Sequence, residues 1–418
     1  MKFFIRTYGC QMNVHESEKI DSQLSAAGFE RAKDEKGADI IIFNTCCIRN
    51  TAEQKIISHI GETKRSKQII CIVGCLAQRP GSAAALKRKF PHIAVILGTH
   101  NIGRLAEKVK EYIVNRKRLT EIEPQRTCED FAAHVFARSN VTMNSTKVCA
   151  TKQSQTDTQT SYINITYGCE NYCSYCIVPY VRGKLISRDS ELILHEFREI
   201  IKSHTPSPAG RHPFILKGNY TIMLLGQNVN SYVCPKTEMD FPALLERLCQ
   251  ELRTNNAEQI PLLERGVAAQ RTGCVINFMS SHPRDFSDRL IDVIAANPQI
   301  ARSVHLPLQS GCDRILALMN RRYTVAEYET KIAKLREKIP GVNISTDIIC
   351  GFPGETTADF AETRAALQRI RFNAAFIFPY SRRTGTAADK MSGQLDAKTK
   401  KARATELIKL QREISRSL

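Results

Sequence analysis

The chain has 418 residues, of which 42% are hydrophobic and 24% are charged, so it is long enough for two or three packed domains. This composition excludes a disordered tail, a collagen-like fibre and a disulfide-stapled miniprotein. The 60 Lys and Arg residues against 42 Asp and Glu residues give a net charge of +18, which favours a polyanionic partner such as nucleic acid. No stretch is long and apolar enough to cross a membrane, so we expect a cytoplasmic protein.

The first hundred residues alternate β-like runs with helical stretches. The predicted strands lie at 3–9, 39–44, 68–74 and 94–98. Stretches with helical spacing separate them, at 14–27, 50–66 and 80–89. Such alternation is typical of a parallel α/β sheet covered by helices. We therefore expect residues 1–116 to form an N-terminal α/β domain.

Residues 117–160 are polar and lack periodicity, which predicts a linker. A second alternating region follows, with six candidate strands at 161–168, 220–226, 274–280, 302–308, 342–350 and 374–380. Six β/α units predict a partial (β/α)6 barrel over 161–395, short of the eight units of a complete barrel. A basic amphipathic helix, 396–418, ends the chain. Two polar inserts, 203–219 and 253–271, are expected to be surface loops.

Three cysteines occur close together in GCENYCSYC, directly after the first barrel strand. Cys169, Cys173 and Cys176 have the spacing C-x3-C-x2-C. Three thiolates on one tight loop can bind three irons of a cubane cluster and leave the fourth iron open for a substrate. A structural zinc site would need a fourth ligand, and no further Cys or His lies nearby in the sequence. The motif therefore predicts an iron–sulfur cluster.

Three more cysteines follow successive predicted strands of the N-terminal domain. Cys10 lies in TYGCQMN, Cys46 in FNTCCIRN and Cys75 in VGCLAQ. Because the carboxyl ends of parallel strands share one edge of a sheet, these thiolates can converge on a second cluster. The odd total of 15 cysteines argues against complete disulfide pairing. We interpret the other nine as core or incidental thiols: Cys47, Cys71, Cys128, Cys149, Cys234, Cys249, Cys274, Cys312 and Cys350.

These motifs resemble those of a known enzyme family. C-x3-C-x2-C at the mouth of a barrel is similar to the motif of radical S-adenosylmethionine (SAM) enzymes. CSYCIVPYVRG (173–183) closely resembles the core of the methylthiotransferases and, within them, the MiaB-type tRNA enzymes. TYGCQMN, NTC and GC-x-A match the motifs on which that family places an auxiliary cluster. The resemblance covers roughly 1–115 and 160–418, and it implies two [4Fe–4S] clusters and SAM as cofactors.

The resemblance also implies residues that contact SAM at the barrel mouth. LLGQNVNSY follows the second barrel strand, where Gly226 permits close backbone approach and Gln227 and Asn228 supply amide groups. Further candidates follow or end later strands: His282, Gln309, Asp347, Gly351 and Glu355. An Asn-rich turn, a satisfied strand-end histidine and a generic glycine turn are the alternative interpretations. Four arginines could bind carboxylate or phosphate, or else be solvated: Arg182, Arg188, Arg382 and Arg383.

The implied activity is methylthiolation at C2 of a tRNA adenosine that lies beside the anticodon and already carries an N6-isopentenyl group. In this scheme SAM cleavage yields a radical that removes hydrogen, the N-terminal cluster supplies sulfur, and a second SAM supplies the methyl group. The base must leave its stack to react. The expected partners are the tRNA anticodon stem-loop, bound through phosphates, and an electron donor such as flavodoxin or ferredoxin. We expect a monomer that does not bind membranes.

Two alternatives remain open at this point. The first is a methylthiotransferase for another substrate, either threonylcarbamoyl-adenosine in tRNA or a ribosomal-protein aspartate. The second is a non-catalytic iron–sulfur RNA-binding paralogue. The sequence departs from the family in its two long inserts and in Cys274, where that strand commonly begins with basic and aromatic residues. Family members usually carry a β-rich TRAM domain after the helix that ends here at Leu418, so we expect weakened tRNA binding.

Overall fold

The computed structural model describes residues 1–47, 50–123, 160–204, 220–259 and 274–418. Most of the expected linker and of the two inserts therefore lies outside the described residues. The described residues form two compact units. The first contains 1–123 with Tyr167–Glu170 and Cys176–Ile186, and the second contains 160–166, Asn171–Tyr175 and Ser187–Leu418. Among the described helices, none combines the length and apolar character needed to cross a membrane.

The first unit is built on a six-stranded sheet. Its strands are β1 (Lys2–Thr7), β2 (Glu30–Arg31), β3 (Ile40–Thr45), β4 (Ile69–Gly74), β5 (Ile93–Leu97) and β6 (Leu119–Glu121). They are ordered β2-β1-β3-β4-β5-β6, and every pairing is parallel. Strands β3 and β4 are buried along their whole length because alternate residues pack into separate cores on the two faces, as Ile42 and Phe43 do.

Helices connect these strands as the alternating pattern predicts. They are α1 (Gln11–Ala26), α2 (Asn50–Glu62), α3 (Cys75–Gln78), α4 (Ser82–Lys89), α5 (Leu105–Asn115) and, from a later segment, α6 (Val178–Arg182). The predicted parallel α/β sheet is confirmed. Two edge strands were not predicted, because β2 and β6 are too short to show a period. Strand β6 falls within 117–160, so that segment is not a linker throughout.

The second unit contains six parallel strands, which confirms the predicted partial barrel. They are β7 (Thr160–Asn164), β10 (Tyr220–Leu225), β11 (Cys274–Phe278), β12 (Ser303–His305), β13 (Asn343–Cys350) and β14 (Ala374–Pro379). One sheet has the order β11-β10-β7 and the other β12-β13-β14. A parallel bridge joins Gln309 to Ile348. The short strands β8 (Thr166–Tyr167) and β9 (Ile186–Ser187) pair with each other.

Helices cover the outer face of the barrel strands. They are α7 (Ser190–His204), α8 (Phe241–Gln259), α9 (Asp288–Ala296), α10 (Asp313–Leu318), α11 (Val325–Lys338), α12 (Thr357–Ile370), α13 (Ala387–Lys390) and α14 (Ala397–Arg416). Capping boxes start α11 at Thr324 and α12 at Thr356. Strand β13 shows the resulting two faces. Ile344 and Ile348 are buried in the same core as Leu407 of α14, whereas Asp347 points to the other, barrel-interior face and is partly exposed.

Candidate active site

The first cysteine triad lies at one edge of the N-terminal sheet. Cys10 precedes α1 just after β1, Cys46 follows β3, and Cys75 begins α3 directly after β4. Strands β1, β3 and β4 are parallel neighbours, so their carboxyl ends meet. A Cβ placed on Gly9 would lie 2.7 Å from Cys46 Cβ, which shows how closely these loops approach. We call Cys10, Cys46 and Cys75 the N-terminal triad.

Buried amides tie two of these loops together. Asn13 Nδ2 donates to Asn44 Oδ1 at 3.1 Å and to the Thr45 carbonyl at 3.2 Å. In return, Asn44 Nδ2 donates to the Asn13 carbonyl at 2.8 Å and to Ser17 Oγ at 2.9 Å. Asn13 Oδ1 lies 3.5 Å from Cys10 Sγ. The sequence analysis missed this network, although a polar Asn44 at the end of an apolar strand was a signal for it.

Cys47 also belongs to this edge of the sheet. Its thiol neighbours Cys75, and this proximity lowers the pKa of Cys75 to about 6 and raises the pKa of Cys47 well above its usual value. Both side chains are buried in one small cluster with Ile177 and Val181. Its burial in this cluster agrees with the interpretation of Cys47 as a core thiol. Register explains the contact, because Thr45 pairs with Gly74 and the residues after them become neighbours.

The donor set of this edge fits an iron–sulfur cluster. Among the described residues, no three His, Cys, Asp or Glu side chains converge closely enough to hold a single metal ion. A cubane cluster separates its ligands more widely than one ion does, because each thiolate binds a different iron. Thiol-only donors also favour iron–sulfur chemistry over hard cations. Binding of a cluster by the N-terminal triad stays a prediction.

Most of the remaining cysteines are core residues, as expected. Cys71, Cys249, Cys312 and Cys350 are buried, and burial raises the pKa of each thiol to about 12. Such thiols are protonated and inert at neutral pH. Two others are buried as well, namely Cys234 and Cys274. Cys128 and Cys149 lie outside the described residues.

The second cysteine triad, Cys169, Cys173 and Cys176, lies in the loop after β8, and we call it the barrel triad. The loop starts at Gly168, whose φ of 78° and contact with the Lys184 carbonyl exclude a side chain. The Cys169 N–H donates to the Gly183 carbonyl at 3.2 Å, which closes the loop on the segment that follows it. The predicted tight loop is thus present around the first ligand candidate.

The middle of this loop is anchored within the second unit. Ser174 N donates to the Met319 carbonyl at 3.0 Å, and its Oγ donates to the Leu318 carbonyl at 2.8 Å. Cys173 is buried, and its Sγ accepts a hydrogen bond from Arg321 Nη1 at 3.4 Å. Arg321 did not stand out in the sequence analysis. Its segment lies almost 150 residues further along the chain, so no local pattern connects it with the motif.

The glycine candidate Gly226 directly follows β10. A Cβ on Gly226 would overlap Thr166 Oγ1 and lie 3.1 Å from Val229, so only glycine fits. Asn228 is buried, and its Nδ2 donates to Asp285 Oδ2 at 2.6 Å and to Ser231 Oγ at 2.5 Å. These bonds make Asn228 partly a turn residue, while its Oδ1 has no partner in the described part of the chain. Gln227 lies in the same turn and is partly exposed.

His282 follows β11 and is buried. Burial, with a further contribution from the charge of Arg321, lowers the pKa of His282 to about 3, so the imidazole is neutral at pH 7. Its Nδ1 accepts from Arg284 N at 3.3 Å, which leaves the proton on Nε2. This Nε2 has no acceptor among the described residues. His282 is therefore not a satisfied strand-end histidine but a donor that lacks a partner.

Other unpaired polar atoms occupy equivalent positions. Gln309, after β12, has a positive φ of 72° and a buried Oε1 without a partner in the described structure. Asn164 at the end of β7 and Ser281 after β11 carry unpaired buried atoms too, and the sequence analysis missed both. Unpaired polar atoms are costly unless a ligand or water completes them. Their shared place at the carboxyl ends of barrel strands fits SAM, which carries ammonium, carboxylate, hydroxyl and adenine groups.

The candidates on and after β13 form a separate group. Asp347 Oδ2 lies 3.4 Å from His305 Nε2 on the barrel-interior face. Gly351 has a φ of 71°, and its N–H donates to Glu355 Oε1 at 2.9 Å. Glu355 is buried, which raises its pKa, and it also pairs with Arg403 of α14. Its bonds thus close this loop within the protein, and a contact of Glu355 with SAM stays a prediction.

The arginine candidates divide by their partners. Arg188 is buried and pairs with Glu196 at 2.5 Å, and the exposed Arg382 pairs with Asp389 at 2.9 Å. Both therefore have structural partners. Arg182 differs, because its guanidinium is buried over the Tyr167 ring, 5.2 Å from the centroid, and forms no ion pair with any described carboxylate.

Comparison with known proteins agrees with both halves of this description. Residues 2–98 match the model of the uncharacterized protein family UPF0004, and residues 163–367 match the radical SAM superfamily. Enzymes of this superfamily use SAM and a [4Fe–4S] cluster. Among solved structures, the radical SAM methyltransferase TsrM from Kitasatospora setae, with cobalamin and a [4Fe–4S] cluster bound, is similar over 93% of this chain and 76% of its own, with a TM-score of 0.59. At 15% identity this likeness shows the fold alone.

Curated relatives are much more similar in sequence. The tRNA-2-methylthio-N(6)-dimethylallyladenosine synthase of Clostridium novyi is 38% identical over 99% of this chain and 81% of its own length. The enzymes of the same name from Natranaerobius thermophilus and Carboxydothermus hydrogenoformans are 38% and 37% identical, over 82% and 84% of their lengths. On this evidence, the chain belongs to the family of radical SAM tRNA-2-methylthio-N(6)-dimethylallyladenosine synthases.

Proposed function

We propose that the protein adds a methylthio group to C2 of N6-isopentenyladenosine next to the anticodon of tRNA. The observation that carries this proposal is the presence of two separate cysteine triads, one at a sheet edge and one on a barrel loop. A radical SAM barrel needs only one cluster for SAM cleavage, so the second triad points to sulfur chemistry. The names of the curated relatives support the tRNA substrate.

The division of labour between cofactors and residues follows from this arrangement. When bound, the clusters and SAM supply a carbon radical, the sulfur atom and the methyl group. The N-terminal triad would hold one cluster and the barrel triad the other. Each triad supplies three thiolates, which leaves one iron of a cubane open.

The barrel mouth supplies the groups that would orient SAM. Gly226 lets the turn after β10 pack closely on Thr166, because a Cβ there would overlap Thr166 Oγ1, and this would hold the turn in place for SAM. The neutral His282 offers an Nε2–H donor, and Gln309 and Asn228 offer unpaired amide oxygens. Since these groups are buried, they would exclude water from the reacting centre as well as bind the ligand.

Two exposed aromatic side chains line the face on which the base would react. Phe376 and Phe378 of β14 are 52% and 44% exposed, although the intervening Ile377 is buried in the core. They pair in register with Asp347 and Ile349, which lie on the same barrel-interior face. Aromatic rings of this kind stack on unstacked bases. We infer that they bind the flipped adenine or its hydrophobic N6 substituent.

The remaining partners follow from the proposed chemistry. Reduction of the barrel cluster needs a low-potential one-electron donor, for which we propose a flavodoxin or ferredoxin. The net charge of +18 suits binding to tRNA phosphates. We propose that the enzyme acts as a monomer in the cytoplasm, where its tRNA substrate is found. The unpaired atoms at the barrel mouth favour the catalytic function over the non-catalytic alternative, because bound SAM would supply partners for them.

The test is anaerobic reconstitution with iron, sulfide, SAM and dithionite, followed by mass spectrometry of nucleosides from added tRNA. We expect 2-methylthio-N6-isopentenyladenosine only when the tRNA carries the isopentenyl group. Matched controls are the same tRNA without that group and a tRNA with threonylcarbamoyl-adenosine. Methylthiolation of the threonylcarbamoyl substrate alone would contradict the proposed specificity, and 5′-deoxyadenosine without any methylthio product would contradict the proposed function.

A further inference from the structure

Three arginines are buried in the described part of the chain: Arg182, Arg188 and Arg321. A guanidinium that loses its hydration needs an anion to compensate its charge. Arg188 has such an anion in Glu196, at 2.5 Å. Arg182 and Arg321 form no ion pair with any described carboxylate, so their charges must be compensated by something else.

Arg321 directs its side chain to a candidate cluster ligand. Its Nη1 donates to Cys173 Sγ at 3.4 Å, and its Nη2 donates to the Pro307 carbonyl at 3.0 Å. Its Nε donates to Tyr323 Oη at 2.9 Å, and the guanidinium lies 5.1 Å from the centre of that ring. Every donor nitrogen is thereby fixed, and among these partners the sulfur of Cys173 is the candidate cluster ligand, which would bind iron as an anionic thiolate.

Arg182 has a similar relation to the N-terminal triad. The helix that carries it packs on this triad, because Val181 and Cys75 belong to one buried cluster. Burial alone would lower the pKa of Arg182, but the neighbouring Cys75, Cys10 and Glu16 raise it well above its ordinary value. Its Nε and Nη1 are buried and have no acceptor among the described residues. Sulfide and thiolate sulfurs of a cluster held by this triad would supply acceptors of the right charge.

We propose that Arg182 and Arg321 are the counter-cations of the two clusters and raise their reduction potentials. The inference rests on the proposed function, because that function assigns a cluster to each triad. A cluster with three thiolate ligands carries net negative charge, and uptake of one electron from a low-potential donor adds another. A buried cation beside a ligand stabilises the more negative, reduced form, and low local dielectric strengthens the effect. Both arginines are thus positioning residues that act through the clusters.

The experiment for Arg321 isolates the barrel cluster. The N-terminal triad is replaced by alanine, and Arg321→Met and Arg321→Lys are introduced in that background. After anaerobic reconstitution, the reduced cluster is followed by electron paramagnetic resonance during a redox titration. At a fixed potential we expect Arg321→Met to lower the ratio of reduced to oxidised cluster about tenfold, equivalent to about 59 mV for one electron. Arg321→Lys keeps the charge and should lie closer to the parent.

Arg182 is tested in the converse background, in which the barrel triad is replaced by alanine. Arg182→Met should lower the potential of the N-terminal cluster, and Arg182→Lys should largely restore it. The matched control is Arg188→Met with Glu196→Leu, which removes a buried guanidinium together with its carboxylate partner. This double variant should leave both cluster potentials unchanged, because neither residue is a proposed cluster neighbour.

The outcomes separate the inference from the proposed function. If a parent background contains no cluster, the cluster assignment itself fails. If the Met variants hold normal amounts of iron with unchanged potentials, the counter-cation role is overturned. Loss of the cluster in the Met variants but not in the Lys variants supports the role, since Lys keeps the positive charge that Met lacks. Loss in both, with circular dichroism showing a folded protein, makes the arginine a purely structural residue and overturns the inference.

Discussion

The N-terminal triad and the barrel triad are assembled in opposite ways. The barrel triad comes from one loop of eight residues, so its spacing in the sequence already restricts where the thiolates can lie. The N-terminal triad comes from three loops that follow β1, β3 and β4, and it exists only because those strands are parallel neighbours. Local sequence therefore specifies one site, whereas sheet topology and the network of Asn13 and Asn44 specify the other.

The surroundings of the two triads also differ in a way that bears on function. A loop motif next to a barrel mouth can bind a cluster and SAM together, since the unpaired atoms of His282 and Gln309 lie at the ends of barrel strands. The described part of the N-terminal sheet edge instead carries an extra thiol, Cys47, which is buried in one cluster with Cys75. In the proposed function, the barrel site activates SAM and the sheet-edge site handles sulfur.

The largest effect is expected from removing each triad in turn. Replacing the barrel triad by alanine should abolish 5′-deoxyadenosine formation and all modification of tRNA, because the cluster is what delivers the electron to SAM. Replacing the N-terminal triad should leave SAM cleavage but stop methylthio transfer. Chromatography of the nucleoside products measures both. SAM cleavage by the variant without the barrel triad would reverse the assignment of the two sites.

Gly226→Ala should come next. The added Cβ overlaps Thr166 Oγ1, so the turn after β10 must shift, at a cost of about 1–3 kcal/mol, and SAM binding should fall by at least tenfold. Equilibrium dialysis with SAM and urea unfolding measure the two effects. Gly61→Ala in α2 is the control, because nothing lies near its Cβ and alanine favours a helix. Equal SAM affinity of Gly226→Ala and the parent would contradict the proposed pocket.

Asn44→Ala tests whether topology alone holds the sheet-edge site. The substitution removes the bonds to Asn13 and Ser17 and leaves a buried amide unpaired, which should cost about 1–3 kcal/mol of unfolding free energy. We expect reconstituted iron to fall from about eight toward about four atoms per chain, while SAM cleavage persists. Retention of all the iron would mean that the strand ends suffice without the amide network.

Phe376→Ala and Phe378→Ala should affect tRNA more than SAM. Loss of one stacking ring is expected to cost about 1–3 kcal/mol in the use of tRNA, with little change in SAM cleavage without RNA. Steady-state kinetics with modified tRNA and with a SAM-only assay separate the two. Val114→Ala serves as a control, since this side chain is exposed on α5 of the first unit. If both variants used tRNA with the same kinetic constants as the parent, the base would bind at another place.

The smallest effect concerns pH. Because the folded-state pKa of His282 lies near 3, below its usual value of 6.5, its contribution to stability is complete above pH 6.5 and declines as the pH falls toward 3. Between pH 7 and pH 5 the parent should lose on the order of 1–2 kcal/mol more unfolding free energy than His282→Gln. Anaerobic urea unfolding at both values checks this. Parallel pH dependence of the two proteins would show that His282 is not held neutral.

Much of this architecture could be predicted from local patterns of apolar and turn residues in the sequence. All six barrel strands and the four longer N-terminal strands were predicted, since their apolar runs are long and bounded by turns. The spacing around Cys169 and the strand-end positions of Cys10, Cys46 and Cys75 also needed no coordinates. The two strands that were not predicted are short. Strands β2 and β6 contain two and three residues, too few to show alternation, and they form only against a sheet edge that already exists.

The fold class, the two triads and the family resemblance follow from the sequence alone, because each depends on residues close together in the chain or on repeated strand ends. Which polar groups lack partners and which charges are paired depends on the tertiary structure. Arg321 contacts Cys173 across almost 150 residues. Arg188 pairs with Glu196, whereas Arg182 forms no ion pair with a carboxylate in the described part of the chain. Burial and long-range packing set these contacts, and neither can be deduced from spacing along the chain.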